Sequence, residues 1–306
     1  MLEVKNLTKT LPNGRKLLDG ISFKVEKGEF VGILGPSGAG KTLTLRCLNG
    51  LLKPDQGSVL LNDGVGAGVQ DVCKARKREL RKMRRRIGVI FQGYHLVKRL
   101  SALENVMIGR LGEINTLRSI LYGFTDKEAE EALLALQKVK ISHLAGSKIG
   151  GMSGGEMQRV AIARAIFQRP SLLLADEPIS NLDPSNAKII MKLIRPLAEQ
   201  MPVIGVFHQP EMTAKYCTRV IAIKDGRIIY DGDPRLSNEL LIEIYGEELR
   251  QMEQVAQPLL SETIPVLPLS MAAVPALSGP GKEERNERYR MEELTPKTRD
   301  HEPTGL

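Results

Sequence analysis

Cysteine is scarce in this chain: Cys47, Cys73 and Cys217 are odd in number and widely separated. They form no CxxC pair and have no metal-ligand spacing, which excludes a disulfide scaffold and a zinc ribbon. They read as buried or incidental thiols of a cytosolic, reducing compartment. No uninterrupted apolar run approaches the ~18–20 residues that a bilayer-crossing helix needs. The start, Met1-Leu2-Glu3-Val4-Lys5, lacks the basic-then-apolar order of a secretion signal. There is no internal repeat. What is present is 306 residues, 42% hydrophobic, enough for one large or two modest domains. The net charge of +8 favours an anionic neighbour (phosphates, nucleic acid or lipid head groups) without choosing among them.

The segment Gly35, Pro36, Ser37, Gly38, Ala39, Gly40, Lys41, Thr42 fits G-x-x-x-x-G-K-[ST], the loop that wraps nucleotide phosphates. The apolar run Phe30–Leu34 precedes it and a helix-compatible stretch, Lys41 to Asn49, follows, giving strand, loop and helix in the required order. Glycines let successive N–H groups turn inward on an anion, and the helix start adds unpaired donors. Lys41 supplies a charge for the β/γ oxygens and Thr42 a hydroxyl for Mg²⁺. The chemistry these residues point to is nucleotide binding.

Residues 2–6 and 21–26 are expected as strands, with turns at Pro12-Asn13-Gly14 and Lys27-Gly28 and a further strand pair around Asn62-Asp63-Gly64. Residues 74–86 form a strongly basic helix candidate, followed by strand Ile87–Phe91. Thr125 and Glu128 form a capping box for a helix to about Lys140; Ser153 and Glu156 form another for a helix to about Gln168. An apolar strand, Leu172–Ala175, is followed by a helix at about Ser185–Glu199 that Pro196 is expected to kink or shorten. Strand Val203–Phe207, a helix at 210–217 and a hairpin, Val220–Lys224 with Arg227–Tyr230, complete the pattern. Helices alternating with fully apolar strands predict an α/β fold with a mainly parallel sheet covered on both faces. Seven of the 17 prolines lie at 258 or beyond, and 282–301 is densely charged, so a disordered tail is expected after about Arg250. Its apolar stretch Ile264–Leu277 is broken by prolines; it reads as part of that tail, with docking on a partner or membrane surface as the alternative.

Asp176 and Glu177 end the apolar strand at the edge where an open α/β sheet binds ligands. Asp176 is placed to hold Mg²⁺ and Glu177 to orient or deprotonate an attacking water. Ser153, Gly154 and Gly155, with Met152 before them, read both as a helix cap and as a second anion-binding helix start.

Met152-Ser153-Gly154-Gly155-Glu156 is similar to Leu-Ser-Gly-Gly-Gln/Glu, the signature of ATP-binding cassette ATPases. With the other motifs in the family's order, residues 1 to about 248 resemble an ABC transporter ATP-binding subunit. The resemblance implies a P-loop NTPase (RecA-like) core, an N-terminal antiparallel β subdomain and a helical signature subdomain at about 95–165. It leaves 249–306 as a Pro-rich, charged tail outside the cassette. It implies ATP and Mg²⁺ as ligands, with Gln92 touching metal or water and facing the membrane subunit. It further implies that His208 contacts the γ-phosphate and that Ser180-Asn181-Leu182-Asp183 joins two subunits. The implied assembly is a homodimer on integral membrane permease subunits at the cytoplasmic face of the plasma membrane. A periplasmic or extracellular solute-binding protein would be an indirect partner. In the family the Ser153 helix faces the ATP held by the second subunit. Phe91 to Val106, Gly109-Arg-Leu-Gly112, Pro12-Asn13-Gly14 and Ile244-Tyr245-Gly246 resemble the ATPase of phosphonate importers in particular.

The chain departs from that pattern in places. Leu11 stands where the family has an aromatic that stacks on adenine, which is expected to weaken ATP affinity or relax base choice. Gly93 follows Gln92 where a side-chain amide is usual and is expected to loosen that loop. Gly150-Gly151 should make the run-up to the signature flexible. The basic run 74–86 reads as a solvated helix face or as a contact for anionic lipid head groups; without aromatics it does not suit nucleic acid. The function read from all this is an ATPase powering uptake of phosphonate or a related phosphorus oxyanion. The alternatives are a cassette ATPase for another solute and a non-transport subunit of a soluble complex.

Overall fold

The computed structural model of the protein describes residues 1–62, 68–113 and 124–246. The expectations for the tail at 249–306 and for the Asp63-Gly64 turn fall outside them.

Two alternating strands open the chain. β1 (Leu2–Thr10) buries Leu2, Val4 and Leu7, and β2 (Lys16–Val25) buries Leu18, Ile21, Phe23 and Val25. β1 runs on past the 2–6 and β2 starts ahead of the 21–26 read from the sequence, because register shifts after Val4, Leu7 and Lys9 let the ladder continue through polar residues. β3 (Phe30–Leu34) is buried at every position and feeds α1 (Lys41–Leu48). β4 (Gln56–Leu61) and the short β5 (Gln70–Asp71) follow. The basic helix α2 (Lys77–Arg84) is shorter than 74–86: Lys74 lies in the turn after β5, and the Glu79 carboxylate accepts from the Arg76 N–H at 2.8 Å, closing the helix start. Past its end, β6 (Ile87–Ile90) begins.

α3 (Ala102–Met107) was not read from the sequence, although Ser101 and Glu104 make the reciprocal capping pair that marks its start. α4 (Asp126–Lys138) starts at the expected Thr125 box and α5 (Gly154–Phe167) at the expected Ser153 box. β7 (Leu172–Asp176) precedes α6 (Pro184–Ile194). Pro196 ends the α-helical hydrogen bonding there, and a 3₁₀ stretch, Arg195–Glu199, replaces it. β8 (Val203–Val206), α7 (Pro210–Tyr216), β9 (Arg219–Lys224) and β10 (Arg227–Gly232) follow. A further helix that the sequence reading omitted, α8 (Asn238–Tyr245), is capped by Ser237. No helix among the described residues is long and apolar enough to cross a membrane.

The strands make a four-stranded antiparallel sheet, β2-β1-β4-β5, and a six-stranded sheet, β10-β9-β3-β8-β7-β6. In the second sheet β6, β7, β8, β3 and β9 run parallel and only β10 is antiparallel. Each central strand divides its side chains between two cores. Phe30, Leu34, Leu173, Ala175 and Val203 pack with residues of α3, α4, α5 and α6, while Val31, Ile33, Leu174, Ile204 and Ile221 pack with α1 and the antiparallel sheet. Each such Val, Leu, Ile or Phe side chain, fully buried, contributes about 1.5–3 kcal/mol. Parallel pairing brings the C-terminal ends of β3, β6, β7 and β8 to one edge, where Ile33 pairs with Val206, Asp176 with Val206, and Ile90 with Ala175. The motifs sit just beyond those residues.

Candidate functional site

The loop after β3 is shaped by two glycines that nothing larger could replace. Gly35 has φ 146°, and a Cβ on it would stand 2.0 Å from the Ile223 carbonyl oxygen. Gly40 has φ 105°, and its Cβ would meet Leu18 Cδ2 at 2.7 Å and the Leu17 carbonyl at 2.9 Å. The loop is thus pressed between β9 and β2. Gly40 caps α1 without a side-chain hydrogen bond, and the first turn holds no acidic residue, so its N–H groups suit an anion. Lys41 is buried and folds back over the loop, donating from Nζ to the Gly35 carbonyl at 2.7 Å and the Pro36 carbonyl at 2.8 Å. Ser37 to Leu43 line a cleft of about 280 Å³ together with Glu177 and His208.

β7, β6 and β8 deliver the remaining groups. Thr42 Oγ1 donates to Asp176 Oδ1 at 3.1 Å. Burial pushes the Asp176 carboxyl up from the usual carboxylate range, and the Thr42 hydrogen bond only partly opposes this. Glu177 has a left-handed backbone, φ 48°, held by Ser180 Oγ and Ser180 N–H, which donate to its carbonyl at 2.9 and 3.2 Å. Its carboxylate accepts from Gln92 Nε2 at 2.8 Å and meets His208 Nε2 at 2.7 Å. Gln92 and Asp176 also line a larger adjoining cleft of about 440 Å³, with Phe91 and His95. The larger cavity is therefore not the one at the phosphate loop.

Among the described residues no group of three or more His, Cys, Asp or Glu gathers as a metal cage. A phosphate-bound Mg²⁺ needs none, since it keeps several waters and takes one or two protein oxygens beside the phosphates. The Thr42 hydroxyl and the Asp176 carboxylate, 3.1 Å apart and with the acid held up by burial, fit such an ion. The amide of Gln92 lies on Glu177.

Ser153, Gly154 and Gly155 do not line the phosphate-loop cleft. Ser153 caps α5 as expected: Glu156 N–H donates to its hydroxyl at 3.4 Å, and Glu156 accepts from Ser153 N–H and Oγ, each at 2.8 Å. Asp183, expected in a subunit-joining loop, caps α6 by accepting from the Ser185 and Asn186 N–H groups at 3.0 Å. The run-up to the signature is not loose. Ile149–Gly151 form one 3₁₀ turn, with Ile149 buried and Gly150 N–H on the Lys98 carbonyl at 3.2 Å. Gly93 opens three consecutive left-handed residues, at φ 76°, 66° and 47° through Tyr94 and His95, so the loop requires what glycine supplies there. Arg164 then donates to the Tyr94 and His95 carbonyls at 3.0 and 2.7 Å, fastening that loop to α5.

Gln158 and Asn105 stood inside the signature and Phe91–Val106 segments without a role of their own, and Arg164 went unremarked in the sequence. Asn105 is fully buried and bonds the backbone of Val97 and Ser101; Gln158 is 2% exposed and donates to the Pro178 carbonyl at 2.6 Å. The available signal was a polar residue on an apolar helical stripe, as at Gly155, Gln158, Ile162 and Ala165.

Residues 18–180 match the family model described as ABC transporter. The chain is 43% identical over 244 residues to the phosphonates import ATP-binding protein PhnC of Treponema denticola, covering 79% of this chain and 93% of that protein. It is 40% identical over 251 residues to the protein of the same name in Lactococcus lactis subsp. cremoris, covering 81% and 100%. Its fold is similar to the ATP-binding cassette MJ0796, solved as a dimer in a post-hydrolysis state bound to ADP and Pi. There the TM-score is 0.65 at 32% identity, over 78% of this chain and all of that one. With a phosphate loop, a paired Asp176-Glu177 strand end and the Ser153 helix in one cassette, the chain belongs to the ABC transporter family and is an ATPase of that family.

Proposed function

We propose that this ATPase powers uptake of a phosphonate or a related phosphorus oxyanion. It works as a head-to-tail homodimer on permease subunits at the cytoplasmic face of the plasma membrane, and a solute-binding protein outside the membrane hands over the cargo. The cassette spans residues 1–248, with a helical part at about 95–165. The solute class rests on the similarity to phosphonate import proteins. The ATPase never touches the cargo, so no residue here reads it.

The observation that carries the mechanism is the Glu177 carboxylate, held by Gln92 and His208 beside the phosphate loop. Loop N–H groups and the α1 start take the phosphate oxygens, and Lys41 exchanges its Gly35 and Pro36 carbonyls for the β/γ oxygens. Thr42 and Asp176 would hold Mg²⁺, which would supply charge neutralisation at the phosphates. Glu177 orients a water in line with the γ-phosphorus and accepts its proton, while His208 donates to the γ-phosphoryl oxygens. Ser153, Gly154 and Gly155 lie off their own chain's cleft, which is compatible with service to the nucleotide of a partner copy.

Growth on a phosphonate as sole phosphorus source, with and without the gene, tests the solute. Unimpaired growth of the deletion strain removes the phosphonate assignment. Steady-state Mg-ATP turnover of the purified protein, lost in Lys41→Ala, tests the site.

A further inference from the structure

The helix that begins at Ser153 and the loop that follows β7 are joined side chain to backbone. Gln158 sits on the first turns of α5, is 2% exposed, and places its amide Nε2 2.6 Å from the Pro178 carbonyl oxygen. On the same face, Gly155 lies so close to Asn186 that a Cβ there would stand 2.8 Å from Asn186 Oδ1. A Cβ on Gly154 would lie 3.7 Å from Leu182. The loop after Glu177 and the first turn of α6 are thus packed on the start of α5, and Gln158 makes a buried hydrogen bond at the end nearest Glu177.

That end needs support. Glu177 holds φ 48°, a conformation that costs a non-glycine residue free energy and persists only when its surroundings enforce it. Ser180 grips the Glu177 carbonyl from the C-terminal side of the loop. The next carbonyl along, that of Pro178, is held by Gln158. The Ser180 contact fixes the Glu177–Pro178 peptide plane beside the Glu177 Cα, and Gln158 anchors the next plane, Pro178–Ile179, on which that one leans.

We propose that Gln158 is a positioning residue for ATP hydrolysis: by bonding the Pro178 carbonyl it fixes Glu177 and registers it to the Ser153 helix. This rests on Glu177 as the water-orienting carboxylate. It also makes the placement of one site's Glu177 depend on the helix that the same chain presents to its partner's nucleotide.

The test measures turnover and direct ATP binding of the full chain for Gln158→Met, Gln158→Glu and Glu177→Gln. Methionine fills the space without a donor, and glutamate sets an acceptor against the Pro178 oxygen. Turnover number falls about tenfold in the methionine variant and further in the glutamate variant, the loss expected when a buried acceptor goes unpaired. ATP affinity and KM stay within about twofold, because no phosphate-loop contact is altered. Wild-type turnover in the methionine variant overturns the proposal. So does a matching loss of ATP affinity in both variants, which marks a purely structural role. Glu177→Gln separates the two ideas. Fast turnover there removes Glu177 from its own role, whereas a dead Glu177 variant beside fast Gln158 variants removes only Gln158.

Discussion

His208 Nε2 lies 2.7 Å from Glu177 Oε1, while the other carboxylate oxygen is taken by Gln92. The arrangement follows from strand order. β7 lies between β8 and β6, so the residue just past the end of β7 is flanked by residues leaving both neighbours. The carboxylate is held from both sides, and in the proposed role this would lower the reorganisation that hydrolysis requires.

Glu177→Gln keeps the shape and the Gln92 and His208 contacts in altered polarity but removes the proposed proton acceptor. Turnover is expected to fall on the order of 100-fold or more. With hydrolysis blocked, Mg-ATP accumulates a dimer, read by light scattering with and without nucleotide. A strictly monomeric variant at saturating Mg-ATP contradicts the head-to-tail assembly.

Lys41→Ala removes a buried ammonium that bridges the Gly35 and Pro36 carbonyls. ATP binding measured by titration calorimetry should weaken on the order of 100-fold, as charge-assisted hydrogen bonds to phosphate are lost. Affinity unchanged from wild type excludes the lysine from phosphate contact.

Gly35→Ala forces a methyl toward the Ile223 carbonyl at a φ of 146°. Overpacking and backbone strain together are expected to cost about 2 kcal/mol or more, lowering Tm by roughly 2–4 °C for each kcal/mol. Gly14→Ala at the β1–β2 turn has φ 82° but open space around its Cβ, and should cost less. Equal melting temperatures for the two variants contradict the packing argument.

Burial pushes the Cys47 thiol up to about 12 and the Cys73 thiol up to about 11 from an ordinary 9.0, and pushes Cys217 up as well. The native state therefore keeps protons that the unfolded chain releases. The stability this contributes is complete below pH 9.0 and is lost as pH rises toward the folded values. Denaturation midpoints should decline on going from pH 8 to pH 10. Disulfide-exchange reagent at pH 8 should label native Cys47 and Cys217 far more slowly than the same residues in urea. Rapid labelling of both in the native protein refutes this.

Leu11 is 38% exposed at the tip of the β1–β2 hairpin, whose second strand packs on the phosphate loop through Leu17 and Leu18. Leu11→Tyr supplies a ring for stacking and should tighten ATP binding by about tenfold, within the ~1–3 kcal/mol of a base–aromatic contact. Inorganic triphosphate, which has no base, should bind both forms alike. Equal tightening for both ligands places the base elsewhere.

Much of the site was legible because its signals are local. A glycine that must hold φ 105°, a serine followed three residues later by glutamate, and an apolar run ending in Asp-Glu each act over a few residues. α4 and α5 accordingly start where their capping boxes place them. The missed α3 carries the same box at Ser101 and the missed α8 a plain serine cap at Ser237, but they are only six and eight residues long, too short for periodicity to assert itself. The overlong reading of α2 has the opposite cause. Arginine and lysine favour helix well enough that nothing in 74–86 announces the turn at one end or the approach to β6 at the other.

By itself the sequence determined the phosphate loop, the Asp176-Glu177 strand end and the nearly all-parallel sheet that presents them, because steric demands and hydrophobic runs are written residue by residue; Gln92 and His208 were singled out only by the family resemblance. Only the tertiary structure decided that Gln92 and His208 close on the same carboxylate, that Gln158 reaches Pro178, and that Gly155 admits Asn186. Those contacts depend on strand order and helix packing between segments 20 to 85 residues apart, for which no local pattern carries a record.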